Sequence, residues 1–338
     1  MHDLLTVSLV RREAIARLAG ELHPGMTVAL STHINADGDG CGSQTAFARL
    51  LGQMGIRAII VNPTPYPELF RWLLGEDVED RTAEGVEAIA RVDRVVVLDI
   101  SDLGRLGGLA DAVRSKPQDA LVIDHHLPGA EPPGAVMLSD TAACATAELV
   151  YDFARERGLS ITTPIAKSLY TALVTDTGGF RFGNTSPRCL AVAADLLTHG
   201  VDPEQMYASI YGSVPLGRLL LLRDALDTLE VDLVNGLAWV SIRAGALETY
   251  RIGTEDLDGI SEYPRSIAGV RLAMLFRDLG HGRVKVSFRS TAGVDVHQLA
   301  QSLGGGGHAR ASGALIAGTL EEVTARVLAA ARRQTSGA

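Results

Sequence analysis

One stretch near the N-terminus decides the fold: Met26-Thr27-Val28-Ala29-Leu30-Ser31-Thr32-His33-Ile34-Asn35-Ala36-Asp37-Gly38-Asp39-Gly40. Its first part is a short apolar run, which is typical of a strand buried on both faces of a sheet. Its second part is a turn rich in imidazole, carboxylate and glycine, and a helical pattern of apolar residues follows over 42–54. Strand, polar turn and helix in this order predict the first crossover unit of an open α/β sheet.

Three further clusters of carboxylate or imidazole groups follow along the chain. Asp99 closes the apolar run Val95-Val96-Val97-Leu98, and Asp124-His125-His126 closes the run Leu121-Val122-Ile123. Asp176 lies in the fourth cluster, which we expect to be a loop after a helix. Strands are predicted over 28–31, 57–62, 94–99 and 120–124, and helices over 42–54, 84–91, 141–158 and 164–174.

The four clusters should meet at one edge of the sheet, since ligands in open α/β sheets bind beyond the carboxyl ends of the strands. Each cluster taken alone also fits an ordinary turn or a helix cap. Gathered together, however, the negatively charged groups would repel one another unless cations lay between them. The sequence therefore favours a two-metal hydrolytic centre.

The composition limits the kinds of partner. Lys and Arg number 31 against 40 Asp and Glu, a formal net charge of −9 that argues against binding of long duplex nucleic acid. Short phosphorylated substrates remain possible, because bound cations and a few arginines can supply positive charge locally. Three widely spaced cysteines, no leader pattern and no apolar run of membrane length predict a cytoplasmic protein without a membrane partner.

The second part of the chain has a different residue pattern. It is β-rich, with turn signals at Asn235-Gly236 and Gly280-His281-Gly282 and a glycine run at 304–307 followed by His308. An apolar helix over 216–229 precedes it and is a plausible connector. Because a chain of 338 residues is long for one core, we expect two domains, over 1–215 and 231–338, joined by a helix over 216–230.

The glycine run has its own interpretation. Gly305, Gly306 and Gly307 could form a nest whose backbone N–H groups bind a phosphate, and Arg289 and Arg310 could add bidentate contacts. A flexible glycine loop with incidental charge is the alternative.

These motifs together resemble those of a known family. The stretch His33–Ser43, Asp99, Asp124-His125-His126 and Asp176-Thr177-Gly178 look like motifs I to IV of the DHH phosphoesterase superfamily. Gly304–Gly313 resembles the GGGH motif of the DHHA1 domain, and nearly the whole chain is similar to the bacterial oligoribonuclease and pAp phosphatase branch. The resemblance implies a parallel-sheet α/β DHH domain, a smaller mixed-sheet α/β DHHA1 domain and a cleft between them. One departure is Ala36, where such proteins usually have proline.

The resemblance also implies roles for individual residues. One metal would bind His33, Asp37 and Asp99, and the other Asp39, Asp99, His125 and Asp176, with Asp99 bridging. The ions would be Mn²⁺, with Mg²⁺, Co²⁺ or Fe²⁺ as alternatives. Asp124 and His126 would assist catalysis beside Asp99. The residues expected to bind substrate are Arg289, Gly305, Gly306, Gly307, His308, Arg310 and Ser312.

The activity implied is Mn²⁺-dependent hydrolysis of short oligoribonucleotides to 5′-mononucleotides, and of pAp to AMP. A cyclic dinucleotide phosphodiesterase is the alternative, followed by a non-catalytic nucleotide sensor. A pyrophosphatase is ranked lower because such enzymes lack the Gly304–His308 pattern. A RecJ-type exonuclease is ranked lower because it would be longer and more basic. The protein is expected to be a monomer or a homodimer.

Overall fold

The chain forms two compact units, over Met1–Gly212 and Ser213–Ala338. The computed structural model describes residues 3–116, 118, 120–212, 214–257, 259–291 and 293–335, and of His308 it describes the backbone. None of the helices in this described part combines the length and apolar character that a membrane span needs. Each unit has a sheet of its own and its own buried clusters.

The first unit alternates strands and helices. Its elements are α1 (Leu9–Gly20), β1 (Thr27–Ser31), α2 (Gly38–Gln53), β2 (Arg57–Ile60), β3 (Glu79–Asp80), α3 (Val86–Arg91), β4 (Arg94–Leu98), α4 (Ala110–Arg114), β5 (Leu121–Asp124), β6 (Val136–Ser139), α5 (Thr146–Glu156), α6 (Thr163–Asp176), α7 (Pro187–Thr198) and α8 (Pro203–Ile210).

The described strands of this unit form one parallel sheet in the order β3-β2-β1-β4-β5-β6. Both faces of this sheet are covered by helices and buried. Successive side chains of a strand point to opposite faces, so each strand contributes to two cores. Val28 and Leu30 enter the larger core with α1, α2, α5 and α6, whereas Ala29 enters the core with α3 and α4. The carboxyl ends of β1, β4 and β5, which are neighbours, therefore meet at one edge.

The second unit has a mixed sheet. Its elements are α9 (Leu216–Asp227), β7 (Glu230–Asp232), β8 (Leu237–Ile242), α10 (Ala246–Tyr250), α11 (Glu262–Arg265), β9 (Leu272–Asp278), β10 (Arg283–Ser290), α12 (Val296–Ser302), β11 (Gly306–His308), β12 (Ala311–Ala317) and α13 (Leu320–Thr335). The described strands run in the order β11-β12-β10-β9-β8-β7, and β8 and β9 are the parallel pair. The predicted α/β architecture, a parallel sheet followed by a smaller mixed one, is confirmed.

Three local predictions were wrong at element boundaries. Helix α2 begins at Gly38 rather than at 42, because the Asp37 side chain caps it. Helix α5 begins at Thr146 rather than at 141, because Ala145 is extended. Asp176 is the last residue of α6 rather than part of a loop.

The domain limits predicted from the sequence, with a separate connecting helix over 216–230, stay a prediction. Helix α9 packs within the second unit, where Leu221 and Ala225 share a buried cluster with Val240 and Ile242.

Candidate metal centre

The turn after β1 presents three polar side chains at the start of α2. Asp37 is the N-cap, and its Oδ1 accepts hydrogen bonds from the backbone N–H of Asp39 at 3.0 Å and of Gly40 at 3.1 Å. Its Oδ2 lies 3.8 Å from Nε2 of His33. His33 Nδ1 donates to the Ile34 carbonyl at 2.9 Å, which leaves Nε2 available to a cation.

Helix α2 can bring these groups close to α6 because its first two turns contain glycine. A Cβ atom at Gly42 would lie 2.3 Å from the Ser168 carbonyl oxygen, and one at Gly38 would lie 2.4 Å from the Thr175 side chain. Thr175 precedes Asp176, so this contact brings the first and fourth polar clusters of the sequence together.

Asp99 lies at the centre of the site. Its Oδ2 is 3.4 Å from Nε2 of His33, and its Oδ1 is 3.6 Å from Nε2 of His125. The hydroxyl of Thr146 donates to Oδ1 at 3.0 Å. The two oxygens of one carboxylate therefore face two different histidines, which is the arrangement that a bridging ligand needs.

His125 gives a direct test of whether this site fits a cation. Its Nε2 is buried and has no hydrogen-bond partner among the described residues. The same atom lies 3.7 Å from Asp39, 3.6 Å from Asp99 and 3.7 Å from Asp176. Because a buried nitrogen without a partner is costly, its convergence with three carboxylates fits a metal ion among them.

The six predicted metal ligands are brought together by the fold. Ligand atoms of His33, Asp37 and Asp99 lie within 4.8 Å of one another, and so do those of Asp39, His125 and Asp176. The three cysteines are buried, and none of them belongs to these groups.

Without a cation, burial and mutual repulsion disfavour the charged form of two carboxylates in the site. Burial, with the charges of Asp99 and Asp176, raises the pKa of Asp39 well above its usual range. Burial and the charge of Asp99 raise the pKa of Asp176 to about 6, although His125 opposes this. Burial alone would lower the pKa of His33, but the carboxylates of Asp37 and Asp99 raise it to about 10.

His126 and Asp124 lie beside these groups. His126 Nδ1 donates to Asp124 Oδ1 at 2.8 Å and lies 3.5 Å from Asp99 Oδ1. The bond to Asp124 raises the pKa of His126. The His126 side chain is 38% exposed whereas Asp124 is fully buried, so His126 is the member of the pair that can reach a substrate.

Some contributors were missed by the sequence analysis. The backbone N–H groups of Thr146 and Ala147, at the start of α5, donate to Asp39 at 2.7 and 3.2 Å. Ser43 also donates to Asp39, at 2.9 Å, and the Asn184 amide donates to Asp176 at 3.2 Å. The start of a helix near Thr146 could have indicated these donors, because free backbone N–H groups and the helix dipole there favour an anion.

In the second unit, part of the glycine run lies in a strand, and its binding of phosphate stays a prediction. Gly306–His308 form edge strand β11, which pairs antiparallel with β12. A Cβ at Gly305 would lie 2.1 Å from the Gly313 carbonyl oxygen, and one at Gly307 would lie 2.6 Å from the Ser312 Cα. Glycine is therefore needed here for the close approach of two strands.

The other predicted substrate-binding residues lie around this hairpin. Ala311 pairs with His308 on one side and with Arg289 of β10 on the other. Arg310 is exposed in the turn, and Ser312 is buried. The backbone thus places Arg289 and His308 two strands apart.

Comparison with known proteins agrees with the fold. Residues 27–174 match the N-terminal domain of the DHH family, and residues 245–337 match the DHHA1 domain. The chain belongs to the DHH phosphoesterase superfamily and is a hydrolase of that class. It is 32% identical to the bifunctional oligoribonuclease and PAP phosphatase NrnA of Thermus thermophilus, over 92% of this chain and 91% of that one. The NrnA protein of Bacillus subtilis is 28% identical over 86% of this chain and 89% of that protein.

Solved structures share the fold. An exopolyphosphatase-related protein from Bacteroides fragilis superposes with a TM-score of 0.88 at 24% identity, covering 96% of this chain and 97% of that one. RecJ from Thermus thermophilus, solved in complex with Mn²⁺, superposes with a TM-score of 0.55 at 14% identity. That match covers 99% of this chain and 56% of RecJ.

Proposed function

We propose that this protein is a Mn²⁺-dependent phosphodiesterase and phosphatase that hydrolyses short oligoribonucleotides to 5′-mononucleotides and pAp to AMP. The observation that carries the proposal is the buried, unpartnered Nε2 of His125 among three carboxylates. Similarity to NrnA proteins over most of the chain supports the substrate class.

His33, Asp37 and Asp99 would hold one divalent ion, and Asp39, Asp99, His125 and Asp176 the other. Four carboxylates balance the charge of two divalent cations, and mixed oxygen and imidazole ligands suit Mn²⁺. When bound, such a pair polarises the scissile phosphate and supplies an activated water.

The surrounding side chains have their own roles in this mechanism. Asp124 accepts a hydrogen bond from Nδ1 of His126 and so orients the ring, which leaves Nε2 as the atom that can deliver a proton to the leaving oxygen. Thr146 holds the orientation of Asp99 through its hydroxyl. Arg289 and His308 of the second unit would bind a phosphate of the substrate, with Arg310 and Ser312 beside them.

The test is a side-by-side assay of the purified protein with Mn²⁺. Its substrates are a 5′-phosphorylated diribonucleotide, pAp, a linear and a cyclic adenine dinucleotide, and pyrophosphate as the control. We expect 5′-mononucleotides from the diribonucleotide and AMP from pAp, with little phosphate released from pyrophosphate.

The same assay separates the alternatives. Preferred hydrolysis of the cyclic dinucleotide would replace the proposal by a cyclic dinucleotide phosphodiesterase. Absence of hydrolysis of every substrate, with metals shown to be bound, would leave a nucleotide sensor. Repeating the active reaction with Mg²⁺, Co²⁺ and Fe²⁺ tests the choice of metal.

A further inference from the structure

Two exposed aromatic rings, Phe182 and Tyr211, contact the chain at the end of α6, and a third, Tyr207, lies against Tyr211. The exposed fractions are 53% for Phe182, 64% for Tyr207 and 41% for Tyr211. Large aromatic side chains usually bury most of their surface, so three exposed rings grouped together are unusual. We call Arg181, Phe182, Tyr207 and Tyr211 the aromatic surface.

Specific contacts attach each member to this turn. The Phe182 ring lies against Gly178, where an added Cβ would be 2.4 Å from the ring. Arg181 Nε donates to the Gly178 carbonyl at 2.6 Å. The Tyr211 hydroxyl is 3.5 Å from the carbonyl of Val174, and its ring centre is 5.3 Å from that of Tyr207. Arg181, Phe182 and Tyr211 therefore contact the chain within a few residues of Asp176, and Tyr207 lies against Tyr211.

Arg181 also links the two parts of this surface. It is exposed and adjacent in sequence to Phe182. Burial raises the pKa of the Tyr211 phenol, and the positive charge of Arg181 opposes this rise.

This combination matches the chemistry of single-stranded RNA. Aromatic rings and arginine planes stack on nucleobases irrespective of sequence, and a guanidinium also attracts the phosphate backbone. The protein has a net charge of −9, which favours binding of RNA by stacking beside a local cation over binding in a broad basic groove.

We propose that the aromatic surface binds, by stacking, the bases of RNA substrates longer than a dinucleotide, next to the scissile phosphate. This inference rests on the proposed function and adds a substrate-length determinant to it. The surface would let the enzyme process oligomers of about three to five nucleotides, while a dinucleotide would not extend far enough to use it.

The experiment measures kcat/KM for a pentaribonucleotide and a diribonucleotide with Mn²⁺ and compares the ratio between variants. Tyr207→Ala should lower this ratio about tenfold, since one base-aromatic stack is worth roughly that much or more. Tyr207→Phe should keep the wild-type ratio because it keeps the ring. The matched control is Tyr263→Ala, a tyrosine 49% exposed in the second unit, which should leave the ratio unchanged.

Several results would overturn the proposal. An unchanged ratio in Tyr207→Ala and in Phe182→Ala would do so, as would an equal effect of Tyr263→Ala. A shift of Tyr207→Ala from dimer to monomer in size-exclusion chromatography would show instead that the surface joins two copies of the chain.

Failure of the proposed function would be distinguishable from failure of this inference. If wild-type protein hydrolyses no substrate, fluorescence anisotropy of a labelled pentaribonucleotide in EDTA still measures binding. About tenfold weaker binding by Tyr207→Ala than by Tyr207→Phe would then support the aromatic surface, and equal binding would overturn it.

Discussion

Asp99 combines an unusual backbone with a central position. Its φ is +64°, in the left-handed region that non-glycine residues seldom adopt, at a cost of the order of 1 kcal/mol. This conformation lets one carboxylate face His33 with one oxygen and His125 with the other. The free-energy cost of this backbone conformation is therefore offset by the contacts of Asp99 with both histidines.

Asp99→Ala should remove both metal ions and lower turnover by more than about a hundredfold, because the bridging carboxylate is lost. Metal content measured by mass spectrometry, together with the diribonucleotide assay, checks this. The control is Asp111→Ala, whose side chain is 92% exposed in the same unit. A variant that keeps two metals and wild-type turnover would contradict the bridging role of Asp99.

Asp176 makes stability of the metal-free protein depend on pH. Its pKa of about 6 in the folded protein lies above the value of about 3.9 in an unfolded chain, so the folded state binds the proton more tightly. This contribution is complete below pH 3.9 and is lost as pH rises through 6. It amounts to at most about 3 kcal/mol.

Asp176→Asn cannot lose a proton. Relative to wild type in EDTA, this variant should therefore gain up to about 3 kcal/mol in free energy of unfolding between pH 4 and pH 7. Urea unfolding at the two pH values measures the difference. The same difference at both values would show that Asp176 titrates normally.

At the scale of elements, α5 is positioned by a buried charge network. Arg11 of α1 contacts Glu148 and Asp152 of α5, both at 2.7 Å, and these carboxylates are almost fully buried. Arg188 of α7 contacts the same two carboxylates. The network fixes the position of α5. Because the first N–H groups of α5 donate to Asp39, the network also helps to position this carboxylate.

Arg11→Met should lower the free energy of unfolding by about 3–5 kcal/mol, because it leaves buried carboxylates with too little positive charge. The neighbouring Arg12 is the matched control, since it is 50% exposed and pairs with Glu156 at 3.2 Å. Arg12→Met should cost less than about 1 kcal/mol. Equal losses for the two variants, measured by urea unfolding, would exclude a special role for the buried network.

These elements also show what the sequence could predict. The apolar runs of β1, β4 and β5 indicated the sheet, and the polar residues at their ends indicated the site, because both patterns are local in sequence. The start of α5 at Thr146 and its bonds to Asp39 and Asp99 depend on tertiary contacts, which periodicity does not report. The pairing of the glycine run with β12 could not be predicted, because the run itself carries no sign of the strand beside it.

At the scale of the whole molecule, the metal ligands come from the first unit and the proposed substrate ligands Arg289 and His308 from the second. If this division is right, binding of substrate and binding of metal can be impaired separately by substitutions in different units.

Arg289→Ala should raise KM for the diribonucleotide about tenfold or more through loss of a charged hydrogen bond to phosphate, with metal content unchanged. Arg283→Ala, at the opposite end of the same strand and exposed, is the control. Loss of metal from the Arg289 variant would contradict the division between units.

The glycines at the start of α2 have a consequence for engineering. The first and fourth ligand segments approach one another where α2 leaves no room for a Cβ atom, as at Gly42 against the Ser168 carbonyl oxygen and at Gly38 against the Thr175 side chain. A library randomised at position 42 should therefore return glycine alone among functional clones.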